Sequence, residues 1–189
     1  SATKVFTATL IHILDQEGIL SLSDSLGQYF PEFDVNSSCH SIPLKALVSH
    51  LVDFPKLPLN FGLKETDKYN PYQNYTFSDL VEFLDDYIPP SPTGEKYSYS
   101  HINYALLGEI VERVTKRPFE EVLIEKVLTP LGMNDTRIAL SSEQQKRAAQ
   151  VYSIGGEAVP MWDMESFEAS GGLKSTVNDL LIFLKMQLG

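Results

Sequence analysis

The chain has 189 residues, 43% apolar and 21% charged, enough for one domain with a full hydrophobic core or two small ones. Fifteen basic residues against twenty-five acidic ones leave a formal net charge of -10, and the basic residues are scattered, which argues against nucleic acid or an anionic membrane surface as partner. A single cysteine, Cys39, excludes an intrachain disulfide; His12, His40 and His50 show no metal-ligand spacing; and no run is long and apolar enough for a transmembrane segment.

The chain opens on Ser1-Ala2-Thr3-Lys4, followed by Val5, Phe6, Leu10, Ile13 and Leu14 at helical spacing. This predicts a helix to Asp15, buried on one side and ended by Gly18. A serine and a lysine three residues apart at a helix start lie on one face, so the amine reaches the hydroxyl. A serine attacks only when a base takes its proton, and a lysine serves as that base only where burial or a positive neighbour keeps a fraction of it neutral. Most Ser-x-x-Lys pairs are nothing more than a capping serine and a solvent lysine.

Residues 18 to 26 read as a short extended piece leading into a polar turn, and Pro31 closes a short helical stretch. Leu44, Leu47 and Val48 suit a short helix begun by Pro43. Residues 53 to 75, with prolines at 55, 58 and 71 among several aromatics, are too long for an ordinary connection and read as a functional loop or rim. Thr76-Phe77-Ser78-Asp79 is a capping box opening a helix that stops at Pro89-Pro90. After a turn at 92 to 95 and a brief extended piece at 96 to 100, a helix is predicted from Ile102 to Thr115, with Gly108 admitting a close neighbour. Pro118 begins another, carrying Phe119, Val122, Leu123 and Val127 on one face, before a turn at Pro130-Leu131-Gly132-Met133. Ser142 to Tyr152 reads as a polar exposed helix and 153 to 175 as a glycine- and aromatic-rich loop. Thr176 to Asp179 repeats the capping box ahead of a last helix through Leu180, Leu181, Leu184 and Leu188. The pattern is a helical layer packed on something; any sheet lies mostly outside these residues.

Several of these stretches together carry a likeness. Ser1-Ala2-Thr3-Lys4, the Asp-x-x-Gly-x-Leu-x-Leu-x-Asp run at 15 to 24, Tyr99-Ser100-His101 with Tyr104 to Gly108, Pro130 to Met133 with Thr136, and Gly171-Gly172-Leu173 with Ser175, Thr176 and Asp179 occur in the order of one superfamily. The chain resembles the serine beta-lactamases and penicillin-binding proteins, most nearly the class C beta-lactamase, D-aminopeptidase and carboxylesterase branch.

The resemblance implies a mainly α fragment of an α+β fold: residues 1 to 189 as the helical region of one beta-lactamase/transpeptidase-like domain, incomplete at both ends, with most of the antiparallel sheet missing. That sheet would come from the same protein or a second chain. It also implies a serine hydrolase that forms an acyl-enzyme, without metal or cofactor, on a small-molecule or short-peptide substrate: an ester, a D-amino-acid amide or peptide, or a beta-lactam. Ser1 matches the nucleophile, Lys4 its lysine, and Tyr99 the proton-shuttling tyrosine. A phenol near an ammonium has its phenolate favoured, which suits it to act as base and then acid. Relatives are often exported.

Three departures stand against the family pattern. His101 replaces the asparagine of Tyr-x-Asn, as a substrate contact or a structural hydrogen-bonder. Ser49-His50-Leu51-Val52-Asp53 stands where many relatives have Ser-His-Thr-Ser-Gly, predicting altered loop packing, and the Lys/His-x-Gly strand motif has no match. Tyr72, Tyr75 and Trp162 either line an acyl or peptide pocket or cover the edge of the core. The alternative to an enzyme is a catalytically weak or inactive relative serving in binding or assembly.

Overall fold

In the computed structural model, which describes residues 1–33, 37–63 and 67–189, the first helix spans Thr3–Gln16 (α1) and buries Phe6, Leu10, Ile11 and Leu14. Gly18 ends it in the left-handed region (φ 70°), where a side chain would be strained. The extended piece expected at 18 to 26 is instead a run of turns. The Asp15 carboxylate accepts from Leu22 N-H and that of Asp24 from Ser21 N-H, at 2.9 and 2.8 Å, so side chains satisfy the backbone where a strand partner would have.

Short helices α2 (Leu26–Tyr29) and α3 (Leu44–Val48) follow, the latter entered through Pro43. Residues 64 to 66 of the expected loop lie outside the described residues; of the rest, Phe54, Tyr72 and Tyr75 are buried. Helix α4 (Phe77–Asp86) has the full reciprocal capping box of Thr76 and Asp79. It ends ahead of the prolines, where Tyr87 turns extended and its hydroxyl donates to Asp53 O at 2.9 Å.

Helix α5 (His101–Thr115) is the axis of the fold. Ser100 caps it through Ile102 N-H, and Lys116 closes it in the left-handed region. Ile102 to Gly108 are all buried, because α1, α3 and the segments after residue 164 surround the helix. Gly108 behaves as the sequence suggests: a Cβ there would lie 2.5 Å from Ala169 Cβ. After Pro118, α6 (Phe119–Leu123) widens into a π-type turn (Ile124–Leu128) and passes into α7 (Thr129–Leu131), closed by Gly132. Pro130 is thus inside a helical segment; a widened turn before it makes room for a ring that would clash with the carbonyl four residues back.

The polar helix is shorter than its sequence suggests. It stops at Arg147 (α8, Ser142–Arg147), and Val151–Tyr152 (β1) pairs antiparallel with Ala158–Val159 (β2), Val151 opposite Val159. The last residues of the expected helix are thus a strand, and the supposed loop holds that strand's partner, a 3-10 turn (Glu165–Phe167) and a short helix α9 (Glu168–Gly171). Val151 and Tyr152 favour strand, and Gly156 (φ 82°) supplies the turn.

Only half of the second capping box forms at the start of α10 (Val177–Leu188). Thr176 accepts from Asp179 N-H, but the Asp179 carboxylate accepts from Asp135 N-H at 3.0 Å and from Thr136 Oγ1 at 2.8 Å. Phe183 anchors α10 by stacking on Phe6 at 3.8 Å. The stripe Val177, Leu180, Leu181, Leu184 and Leu188 is exposed, at 40% to 79%. Among the described residues the hairpin is the one sheet, so the structure is mainly α, with an uncovered apolar helix face.

Candidate active site

Ser1 stands at the mouth of α1, its carbonyl accepting from Lys4 N-H at 3.1 Å, so the first turn sets Lys4 beneath the serine. The loop before α5 delivers Tyr99 from the far side. Five bonds hold that loop: Ser98 Oγ to Phe54 O (2.9 Å), Ser98 N-H to His50 O (2.8 Å), Ser100 N-H to His50 Nδ1 (3.3 Å), Ser100 Oγ to Pro55 O (2.6 Å) and His101 N-H to Lys56 O (3.0 Å). Two more tie the 169 to 173 segment to α1: Thr7 Oγ1 donates to Ala169 O at 2.7 Å, and Leu173 N-H to Thr3 Oγ1 at 3.2 Å.

These elements converge. Ser1 Oγ and Tyr99 Oη lie 2.7 Å apart, while Lys4 Nζ is 3.5 Å from Ser1 Oγ. The ammonium is 5% exposed at residue level and donates most closely to Ser170 O, at 2.7 Å, with His101 Nδ1 at 3.3 Å; its centre lies 5.1 Å from the Tyr99 ring. All these partners are neutral groups, and no carboxylate among the described residues forms an ion pair with it. Burial holds Lys4 below its ordinary value, opposed by the Tyr99 phenol. Burial alone would raise Tyr99, but the hydrogen bonds to Ser1 and Lys4 and the charges of Lys4 and Lys56 bring it below the usual phenol value. The atom best placed to take the serine proton is the phenol oxygen.

His101 lies inside this cluster. Its Nδ1 faces Lys4 Nζ and also Ser170 Oγ at 3.3 Å, which leaves the ring hydrogen on Nε2. Burial, then the charges of Lys4 and Lys56, push the imidazole down to about 4. Because the folded value lies below the unfolded one, the unfolded chain binds more protons between about pH 6.5 and 4, and stability falls as pH drops through that window. His101→Asn, which does not titrate, is expected to flatten that slope in urea midpoints taken at pH 7 and 4.5.

The aromatic candidates divide. Tyr72 and Trp162 pack ring to ring at 5.4 Å, Tyr72 buried and Trp162 about half exposed. Trp162 with Met161, Met164, Gly171 and Leu173 lines a shallow apolar cleft of about 390 Å³. Tyr75 is buried between Phe61 and Phe167, its hydroxyl donating to Asn60 Oδ1 at 2.8 Å. Ser170 was not foreseen. Its contribution is a backbone carbonyl, and the only local signal was the Gly171-Gly172 pair that follows it. His50 was given no role at the site; its one signal was its place in Ser49-His50, where many relatives carry Ser-His.

The sequence matches the family described as Beta-lactamase over residues 1–189. It is 29% identical to a beta-lactamase of Lysobacter lactamgenus over 192 residues, covering all of this chain and 46% of that protein. It is likewise 29% identical to Protein flp of Staphylococcus aureus (strain NCTC 8325 / PS 47), covering 100% of the chain and 38% of the relative. The chain thus spans less than half the length of these curated relatives. Among solved structures, the beta-lactamase/D-alanine carboxypeptidase of Pseudomonas syringae superposes with a TM-score of 0.82 at 27% identity, and the class C beta-lactamase of Rhodobacter sphaeroides with 0.84 at 25%. Each match covers all of this chain and 50% of the other. With the helical layer, the serine, lysine and tyrosine landmarks and a family match along its whole length, this chain belongs to the beta-lactamase family.

Proposed function

We propose that the protein containing this chain is a serine hydrolase that works through an acyl-enzyme on Ser1. The observation that carries the reading is the 2.7 Å approach of Tyr99 Oη to Ser1 Oγ, with the buried Lys4 ammonium beside both. Tyr99, as phenolate, takes the Ser1 proton while Oγ bonds to the substrate carbonyl carbon and the carbonyl electrons move to oxygen. Collapse of that adduct breaks the bond to the leaving group, which receives the proton from Tyr99. Water then attacks the acyl-serine, giving its proton to Tyr99; the acyl bond breaks and Oγ recovers the proton. Lys4, as the ammonium, stabilises the phenolate by its charge, while burial holds its pKa below the ordinary lysine value.

The substrate class is an ester, a D-amino-acid amide or peptide, or a beta-lactam. The names of two similar proteins, a beta-lactamase and a beta-lactamase/D-alanine carboxypeptidase, favour the last two. The second wall of the site is assigned to sheet from the same protein or a second chain, covering the exposed stripe of α10. His101 in place of asparagine favours one competing reading, a protein that binds but does not turn over.

The test is intact-mass and peptide analysis of the full-length protein after incubation with a fluorophosphonate and with a labelled penicillin. The expected result is one adduct on the peptide carrying Ser1, released with time. An adduct that never leaves supports the binding reading, and no adduct from any acylating probe overturns the acyl-enzyme reading and leaves the inactive, binding one.

A further inference from the structure

We propose that His50 is the positioning residue of Tyr99: its imidazole and its carbonyl hold the peptide groups on either side of the tyrosine, and so set where the phenol meets Ser1. This rests on Tyr99 being the base in acylation. His50 O accepts from Ser98 N-H at 2.8 Å and His50 Nδ1 from Ser100 N-H at 3.3 Å, so one residue clamps the backbone before and after residue 99. The ring also lies flank to flank with the phenol, centroids 4.8 Å apart, and contacts Tyr104 at 5.2 Å and Tyr97 at 5.9 Å. Tyr99 is thereby held between two imidazoles, with His101 edge-on at 5.7 Å.

Two costs in the structure are explained by this role. His50 sits in the left-handed region (φ 57°), which a non-glycine residue adopts only where its surroundings insist. That backbone turn aims both its carbonyl and its ring at the Tyr99 loop. The second cost is Asn103, wholly buried on α5, whose Oδ1 has no partner among the described residues while its amide nitrogen lies 2.8 Å from His50 Nδ1. A buried amide left half satisfied is destabilising. What it secures is Nδ1 as an acceptor, with the ring hydrogen on Nε2. The imidazole is also held neutral, by burial and then by the Lys4 charge, so it orients the phenol without adding a cation beside Lys4.

The experiment compares His50→Asn, His50→Leu and Asn103→Leu in the full-length protein, using whichever of the fluorophosphonate or penicillin probes acylates wild type. Asparagine tolerates the left-handed region and puts Oδ1 where Nδ1 was, so it is expected to keep the acylation rate within about threefold. His50→Leu removes the acceptor and is expected to lose about 10²-fold in acylation rate at saturating probe, with the non-covalent probe affinity unchanged. Should His50→Leu fail to fold, Asn103→Leu removes the closer of the two donors at Nδ1, leaves Ser100 N-H as the other, and is expected to lose about tenfold. A folded His50→Leu or Asn103→Leu that acylates at the wild-type rate, or a folded His50→Asn as slow as the leucine variant, overturns the proposal. Wild type that resists every probe removes the acyl-enzyme reading itself, and this proposal with it.

Discussion

Lys4→Met in the full-length protein is expected to slow acylation of Ser1 by about 10²- to 10⁴-fold and to move its pH dependence upward. Methionine matches the lysine stem, so α1 and its packing persist, while the ammonium over the Tyr99 ring is lost. The hydrogen bond and charge of Lys4 are among the forces that bring the Tyr99 phenol below its ordinary value. Without them more base is needed before a phenolate is present, and the rising limb of the acylation profile shifts to higher pH. Stability carries a second signature. Burial depresses the folded-state value of Lys4, so the unfolded chain binds the extra proton between that value and about 10.4, and wild type gains stability as pH rises through this interval. The methionine variant lacks that gain. Denaturant midpoints at pH 7 and pH 10 are therefore expected to shift in favour of wild type as pH rises; parallel shifts in both proteins would show that Lys4 is not depressed.

Tyr99→Phe isolates the proton transfer. It removes one oxygen, the nearest partner of Ser1 Oγ at 2.7 Å, and keeps a ring that packs against His50 and His101. Acylation is expected to fall by about 10²- to 10⁴-fold, with little change in non-covalent probe binding. The wild-type rate should climb as pH rises through the phenol's value, which lies below 10.0, and the phenylalanine variant should lack that limb. If the variant acylates at the wild-type rate, Lys4 at 3.5 Å is the base instead and the tyrosine is a wall of the pocket.

How far the letters carried the reading follows from the range of the forces involved. Helix starts governed by adjacent residues were legible: the Thr76 and Asp79 box, Gly18 past the end of α1, and the close approach over Gly108 all stand as expected. Errors fell where a carboxylate took a partner that the local pattern does not show. Asp179 left its own cap to bind Thr136 and the backbone of Asp135, drawing the 133 to 137 turn onto α10. Asp15 and Asp24 converted an apparent strand into turns. The altered residues after His50 have a plain physical result: Val52 and Phe54 are buried, and Asp53 pairs with Lys96 at 3.0 Å, fastening this loop to the segment that leads into Tyr99.

Three things could be read from the chain alone: a serine and a lysine one helical turn apart, a tyrosine loop ahead of a buried helix, and an apolar layer needing cover. Each depends on spacing within a few residues, which backbone geometry enforces wherever a helix forms. The tertiary fold decided the rest. It set the phenol rather than the amine nearest the serine, chose the Ser170 carbonyl as the closest acceptor for Lys4, turned His101 toward that lysine, and placed His50 under the tyrosine. These contacts join residues 50 to 166 positions apart. Only packing around α5 brings such groups together, and neither a backbone carbonyl nor a left-handed φ has a letter of its own.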